Sequence, residues 1–154
     1  LKYSTDTSAI LDAWVRNYPP DVFPVVWAKL EELVDKGALF ATEEVLRELE
    51  AKHDDVYEWA REHRHMFISI DLRIQAVVKQ ILGQHKKLID QRKGRSGADP
   101  FVIALAKLRG CAVLTAEKPS NNPEKRPRIP DVCDALGIKW LNVLELFREQ
   151  GWTF

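Results

Sequence analysis

Tyr3-Ser4-Thr5-Asp6-Thr7-Ser8-Ala9-Ile10-Leu11 changes its periodicity halfway along. Lys2 to Thr5 has β character, and Ile10, Leu11, Trp14 and Val15 then recur at helical spacing. Asp6 stands at the junction, at the carboxyl end of a strand. In an open α/β sheet that edge is where ligands bind. Short polar side chains at such a junction also cap the helix that follows, because they accept hydrogen bonds from its unpaired N–H groups. Asp6, Thr7 and Ser8 are all candidates for that task, and one cap suffices for one helix. The surplus directs attention to other acids placed in the same way further along.

The alternation continues. Phe23, Val26, Trp27, Leu30, Leu33 and Val34 form an amphipathic helix that Gly37 ends, and Ala38 to Ala41 reads as a buried strand. Thr42 is placed to cap the next helix, with Glu43 and Glu44 in its first turn. On that helix Val45, Leu46 and Leu49 define the buried face. At about 100° per residue Glu48 falls on its boundary, able to reach a cleft, and Glu44 points toward water. Asp54 or Asp55 starts a further helix, Met66 to Ile70 is compatible with a short strand, and Asp71 precedes a helix through Leu82. Gly83 to Gly97 reads as a loosening helix and a mobile basic loop. Asp99-Pro100 has the form of a helix cap followed by proline in the first turn. Cys111 to Leu114 is a parallel-type strand ending at Thr115-Ala116-Glu117, a further acid just past a strand end. A proline-rich basic loop, a short helix over Asp131 to Leu136, a strand at Lys139 to Leu141 and a helix from Val143 to Gln150 complete the chain. Strands alternating with helices imply an α/β fold with a parallel sheet covered on both faces.

At 154 residues the chain has the length of one domain. Its 45% apolar and 30% charged residues describe a globular protein, and no window approaches the run of about 18 apolar residues that a membrane span needs. No signal peptide is read at its start, and two isolated cysteines, Cys111 and Cys133, fit a reducing cytoplasm. His63 and His65 lack the spacing of a zinc site. Net charge is zero but unevenly spread. Acids crowd the stretch from Glu43 to Glu58. Lys79, Lys86, Lys87, Arg92, Lys93 and Arg95 form one basic run, and Lys118, Lys125, Arg126 and Arg128 another. Such a division suits a metal site flanked by phosphate-binding surface.

Carboxylates gathered at one sheet edge repel one another unless a cation neutralises them. Acids without His or Cys partners favour a hard cation, Mg²⁺ or Mn²⁺, which activates water and stabilises displacement at phosphorus. Four stretches carry this pattern: Ser4 to Leu11, Val45-Leu46-Arg47-Glu48-Leu49, Ala98-Asp99-Pro100 through Ala106, and Val113-Leu114-Thr115-Ala116-Glu117. In order and spacing they resemble the PIN domain, and in particular the PIN-like ribonuclease toxins of the VapC kind. The resemblance runs from Tyr3 to about Leu146. It implies a PIN-like (Rossmann-like) α/β/α sandwich with a short central parallel sheet, and metal-dependent cleavage of single-stranded RNA. It carries the metal-binding acids onto Asp6, Glu48 and Asp99, with Glu117 as the fourth and Asp131 as its substitute, and the neighbouring hydroxyl onto Thr7 or Thr115. It also implies a protein antitoxin and a homodimer. On charge alone, Lys86, Lys87, Arg92, Lys93 and Arg95, with Arg126 and Arg128, would hold the RNA backbone.

Three other readings are separable. A phosphatase of the haloacid-dehalogenase type needs a second acid two residues after the first, where Ser8 stands. A flap nuclease needs a helical arch that this chain lacks. A non-catalytic PIN-fold module would bind a partner protein or RNA without hydrolysis.

Overall fold

The computed structural model describes residues 1–88 and 97–154. Strand β1 (Tyr3–Thr5) lies at the centre of a five-stranded, wholly parallel sheet in the order β3-β2-β1-β4-β5. The others are β2 (Leu39–Thr42), β3 (Phe67–Ile68), β4 (Ala112–Leu114) and β5 (Trp140–Leu141). Around them run α1 (Thr7–Asp12), α2 (Pro24–Asp35), α3 (Glu43–Lys52), α4 (Asp54–Glu62), α5 (Leu72–Gln84), α6 (Asp99–Arg109), α7 (Ile129–Leu136) and α8 (Val143–Gln150). The result is the Rossmann-like α/β/α sandwich expected from the alternation of elements. No described helix is long and apolar enough to cross a membrane.

The strand order reverses at β1. The chain steps outward through β2 and β3 on one side, then returns to build β4 and β5 on the other. Crossovers of one hand made in opposite directions put their helices on opposite faces. Two contacts identify the face covered by α6. Ser4 Oγ donates to the Val102 carbonyl at 2.9 Å, and the Arg109 guanidinium sits 4.5 Å from the Phe40 ring centroid. On the other face Trp14, Trp27 and Trp59 stack edge to face, at 4.9 Å and 5.2 Å between successive ring centroids, and join α2 and α4 to the turn after α1. Edge-to-face packing of this kind adds to what burial of the rings contributes.

Several boundaries differ from the sequence reading for local reasons. After α1 the helix widens into a π turn, Ala13–Asn17, closed by Tyr18 N–H to the Ala13 carbonyl at 2.7 Å. The extra residue in that turn rotates Val15 off the core, and it is 52% exposed. Helix α4 starts at Asp54, as read, but neither Asp54 nor Asp55 caps it. His53 does so, its Nδ1 accepting from Val56 N–H at 3.3 Å. Met66 belongs to a 3-10 turn, and only Phe67 and Ile68 pair with β2. Helix α5 passes through Gly83 to Gln84. Most of the expected basic loop, with Arg92, Lys93 and Arg95, falls at 89–96, outside the described residues. Gly110 ends α6 at φ +61°, a backbone state that a Cβ would strain.

Helix α8 follows its reading from Val143 to Gln150. Asn142 Oδ1 accepts from Glu145 N–H at 2.8 Å, and the Glu145 carboxylate accepts from Asn142 N–H at 3.1 Å. Tyr3 then ties α8 to the central strand, its hydroxyl donating to Glu149 and accepting from Gln150, each at 2.9 Å. Asn142→Ala removes the side-chain half of a reciprocal cap. Urea unfolding should show a loss of about 1 kcal/mol with an unchanged m-value, the usual effect of deleting an N-cap.

Candidate active site at the carboxyl edge of the sheet

Asp6 leaves β1 where the strand order reverses, the position at which open α/β sheets bind ligands. Its N–H still joins the ladder, donating to the Leu114 carbonyl at 2.9 Å. Its side chain caps α1 by accepting from Ala9 N–H at 2.8 Å, so the capping reading holds. That is only part of its environment. Thr115 Oγ1 donates to Asp6 Oδ2 at 2.6 Å, and Ser8 Oγ lies 2.9 Å and 2.8 Å from the two carboxylate oxygens. Ser8 Oγ in turn accepts from Ala116 N–H at 3.1 Å. The hydroxyls thus bind the end of β1 to the end of β4.

Asp6 is 1% exposed, and its carboxyl is pushed up from 3.8 to about 7. Burial is the main cause. The hydrogen bonds from Thr115, Ala9 and Ser8 oppose it, while the negative charge of Glu117 adds to it. Asp6 and Glu117 also both help to raise the Cys133 thiol to about 12, after burial and Asp134. The two carboxylates therefore share one neighbourhood.

Glu48 is half-buried on the flank of α3, as its helical angle requires, and it meets the residue next to Asp6. Thr7 Oγ1 donates to Glu48 Oε1 at 2.5 Å. Glu44 departs from the expected orientation. It is half-buried and ion-paired with Arg47, which folds back over it one turn later. Asp99 also differs from its reading. Ala98 occupies the cap position of α6 without a side-chain capping bond, and Asp99 lies inside the first turn, 9% exposed. Since α6 ends next to the start of β4, its first turn lies at the carboxyl edge, on the face that carries Ser4 and Asp6.

Glu117 N–H donates to Thr115 Oγ1 at 3.0 Å, and its carboxylate accepts from Ile129 N–H at 3.4 Å. Asp131 is occupied with local structure, accepting from Ser120 N–H at 3.0 Å and Arg128 N–H at 2.8 Å. His63 and His65 serve packing and surface roles, facing Glu31 at 3.3 Å and Asp35 at 3.0 Å. A groove of about 570 Å³ lies beside α7. It is lined by His85, Lys86, Lys87, Pro127 and Asp131 among others, so the end of α5 and the loop before α7 share a wall.

Two participants are absent from the sequence reading. Ser8 passes there for a spare cap, and Thr42 for the cap of α3. Thr42 makes no capping bond, and its fully buried Oγ1 has no hydrogen-bond partner among the described residues. A signal existed for Ser8, since more hydroxyls follow Asp6 than one helix needs.

The donors fit a hard divalent cation in kind: carboxylates and hydroxyls, with a buried acid that is costly to ionise without a positive charge beside it. Among the described residues no three His, Cys, Asp or Glu side chains converge to form a ready-made cage. Mg²⁺ does not need one, because it commonly binds through one or two carboxylates and keeps several waters. Asp6 and Glu48, joined through Thr7, are two carboxylates of that kind. No curated protein matches the sequence. The family model that does match covers residues 3–154, and the chain belongs to that family, described as a domain of unknown function (DUF4411).

Proposed function

We propose that the chain is a divalent-metal-dependent endoribonuclease of the PIN kind, acting on single-stranded RNA as the toxin of a toxin–antitoxin pair in the cytoplasm. The observation that carries this reading is the buried Asp6 carboxyl at the reversal of strand order, with Glu117 acting on it and Glu48 held to Thr7. Asp6 and Glu48 would hold Mg²⁺ or Mn²⁺ directly, and Asp99 and Glu117 would act on the ion through its waters. When bound, such an ion lowers the pKa of a water and stabilises charge at the attacked phosphorus. The chain's own residues prepare for this. Thr115 and Ser8 fix the Asp6 carboxylate, so its orientation is set before ligand arrives. Thr7 does the same for Glu48. Lys86 and Lys87 in the groove, with Arg126 and Arg128 on the adjoining loop, would contact the RNA backbone as positive charges and give salt-sensitive binding. A protein antitoxin would cover this edge, and the active form would be a homodimer.

The test is incubation of the purified chain with a mixed-sequence RNA in Mn²⁺ and in EDTA. Cleavage should require the metal, and Glu48→Gln should slow it by about a hundredfold, a typical loss for a positioned charged group. Cleavage in EDTA at the same rate, or no Mn²⁺ binding at all, would refute the proposal. A second reading is favoured by the lack of a three-acid cluster among the described residues. In it the fold is a non-catalytic module binding RNA or a protein, and it predicts RNA binding that is indifferent to Mn²⁺.

A further inference from the structure

The register of the sheet places a third polar side chain level with Asp6. Ser4 is the last residue of β1 paired with β2, opposite Phe40, and the same register continued two residues along both chains sets Asp6 beside Thr42. Thr5 pairs with Leu114 on β4, and the residues that follow each, Asp6 and Thr115, meet through the Thr115 hydroxyl. Side chains level with one another in a parallel sheet share a face. Ser4 and Phe40 both meet α6, so Thr42, Asp6 and Thr115 form a row on that face at the carboxyl edge. Helix α6 begins there with Asp99.

The two threonines flanking Asp6 are used differently. Thr115 gives its hydrogen to the carboxylate at 2.6 Å. Thr42 is equally buried, at 0% exposure, yet its hydroxyl finds no partner among the described residues. Folds rarely leave a buried hydroxyl unsatisfied, because its water contacts are lost and not replaced. The usual reason to cap a helix does not apply, since α3 receives no side-chain bond from Thr42. A β-branched residue is wanted at this strand end, and valine would meet that need without the hydroxyl. What remains is a role for the oxygen in binding.

We propose that Thr42 is a positioning residue of the Asp6 site, its hydroxyl accepting a hydrogen bond from a water carried by a divalent cation held at Asp6 and Glu48. The inference rests on the metal-dependent reading above and adds a residue to it. A hydroxyl suits this place because it accepts from a polarised water without adding charge. A carboxylate at Thr42 would instead raise the repulsion that Asp6 already feels from Glu117.

The test combines Mn²⁺ titration of the full chain by calorimetry with thermal melting in EDTA. Thr42→Val keeps the shape and removes the oxygen. It should melt at or above the wild-type temperature in EDTA, because no hydrogen bond is lost, and should bind Mn²⁺ about three- to tenfold more weakly, the effect of one hydrogen bond. Thr42→Ala should bind Mn²⁺ equally weakly but melt lower, since it also opens space. Thr42→Ser should restore wild-type affinity. Unchanged Mn²⁺ affinity in both Thr42→Val and Thr42→Ala overturns the inference, as does a Thr42→Val that melts several degrees low in EDTA. Affinity lost in Asp6→Asn but intact in Thr42→Val overturns the role of Thr42 alone. A wild type that takes no Mn²⁺ overturns the metal-dependent reading together with it.

Discussion

Asp6→Asn should abolish RNA cleavage, lowering kcat by a factor of a thousand or more while leaving the fold intact. The expectation follows from what the substitution changes. Asparagine keeps an acceptor for Ala9 N–H, so the cap on α1 survives, and the Ser8 and Thr115 hydroxyls can turn to meet the new amide. What disappears is the buried carboxylate at the point where the strand order reverses. A cation held there would lose its main anchor, and a site built for charge stabilisation loses factors of this size when a single principal group goes. The supporting result is loss of both Mn²⁺ binding and cleavage, with an unchanged circular dichroism spectrum. Cleavage persisting within tenfold of wild type would show that Asp6 is a structural cap and that hydrolysis occurs elsewhere. Asp6 and Glu48 are connected through Thr7, so the double variant with Glu48→Gln should lose little more than Asp6→Asn alone.

The parts of this edge that were legible in the sequence are those set by neighbours along the chain. Strand, acid and helix follow one another at Asp6, and strand and acid recur at Glu117, because local periodicity and capping chemistry specify them. The flank position of Glu48 follows from helical angle. What was hidden depends on residues distant in sequence. Thr42 gains meaning only when β2 registers against β1, and nothing near Thr42 encodes that pairing. Asp99 reads as a cap because Asp-Pro so often is one, yet Ala98 takes the cap position and leaves the acid inside the first turn. His53 is overlooked for the opposite reason. Two aspartates with better capping propensity follow it, yet both lie inside the first turn of the helix that Asp54 starts. The π turn after α1 likewise obeys the packing of Trp14 against Trp27 and Trp59 rather than any signal in its own residues.

The burial that makes Asp6 a candidate for chemistry also makes it a liability to the fold, and the sign of that liability can be measured. Its carboxyl is raised from 3.8 to about 7, so between those values the folded chain keeps a proton that the unfolded chain releases. Where the folded state binds more protons, stability falls as pH rises. The stabilisation from neutral Asp6 is therefore complete below about pH 4 and is lost progressively up to about pH 7. At about 1.4 kcal/mol per pKa unit the total is on the order of 4 kcal/mol. Asp6→Asn cannot ionise, so it should match the wild type near pH 4 and exceed it by a few kcal/mol at pH 8. Urea unfolding across that range in EDTA reads the divergence directly. Two curves that stay parallel from pH 4 to pH 8 would mean that Asp6 ionises as readily inside the fold as outside it. Adding Mn²⁺ at pH 8 should then raise the wild type toward the variant, because a cation beside the carboxylate offsets the cost of its charge. The variant itself should not respond. A carboxyl that weakens the fold when bare and strengthens it when a cation is supplied is distinguished in this way from one that merely caps a helix.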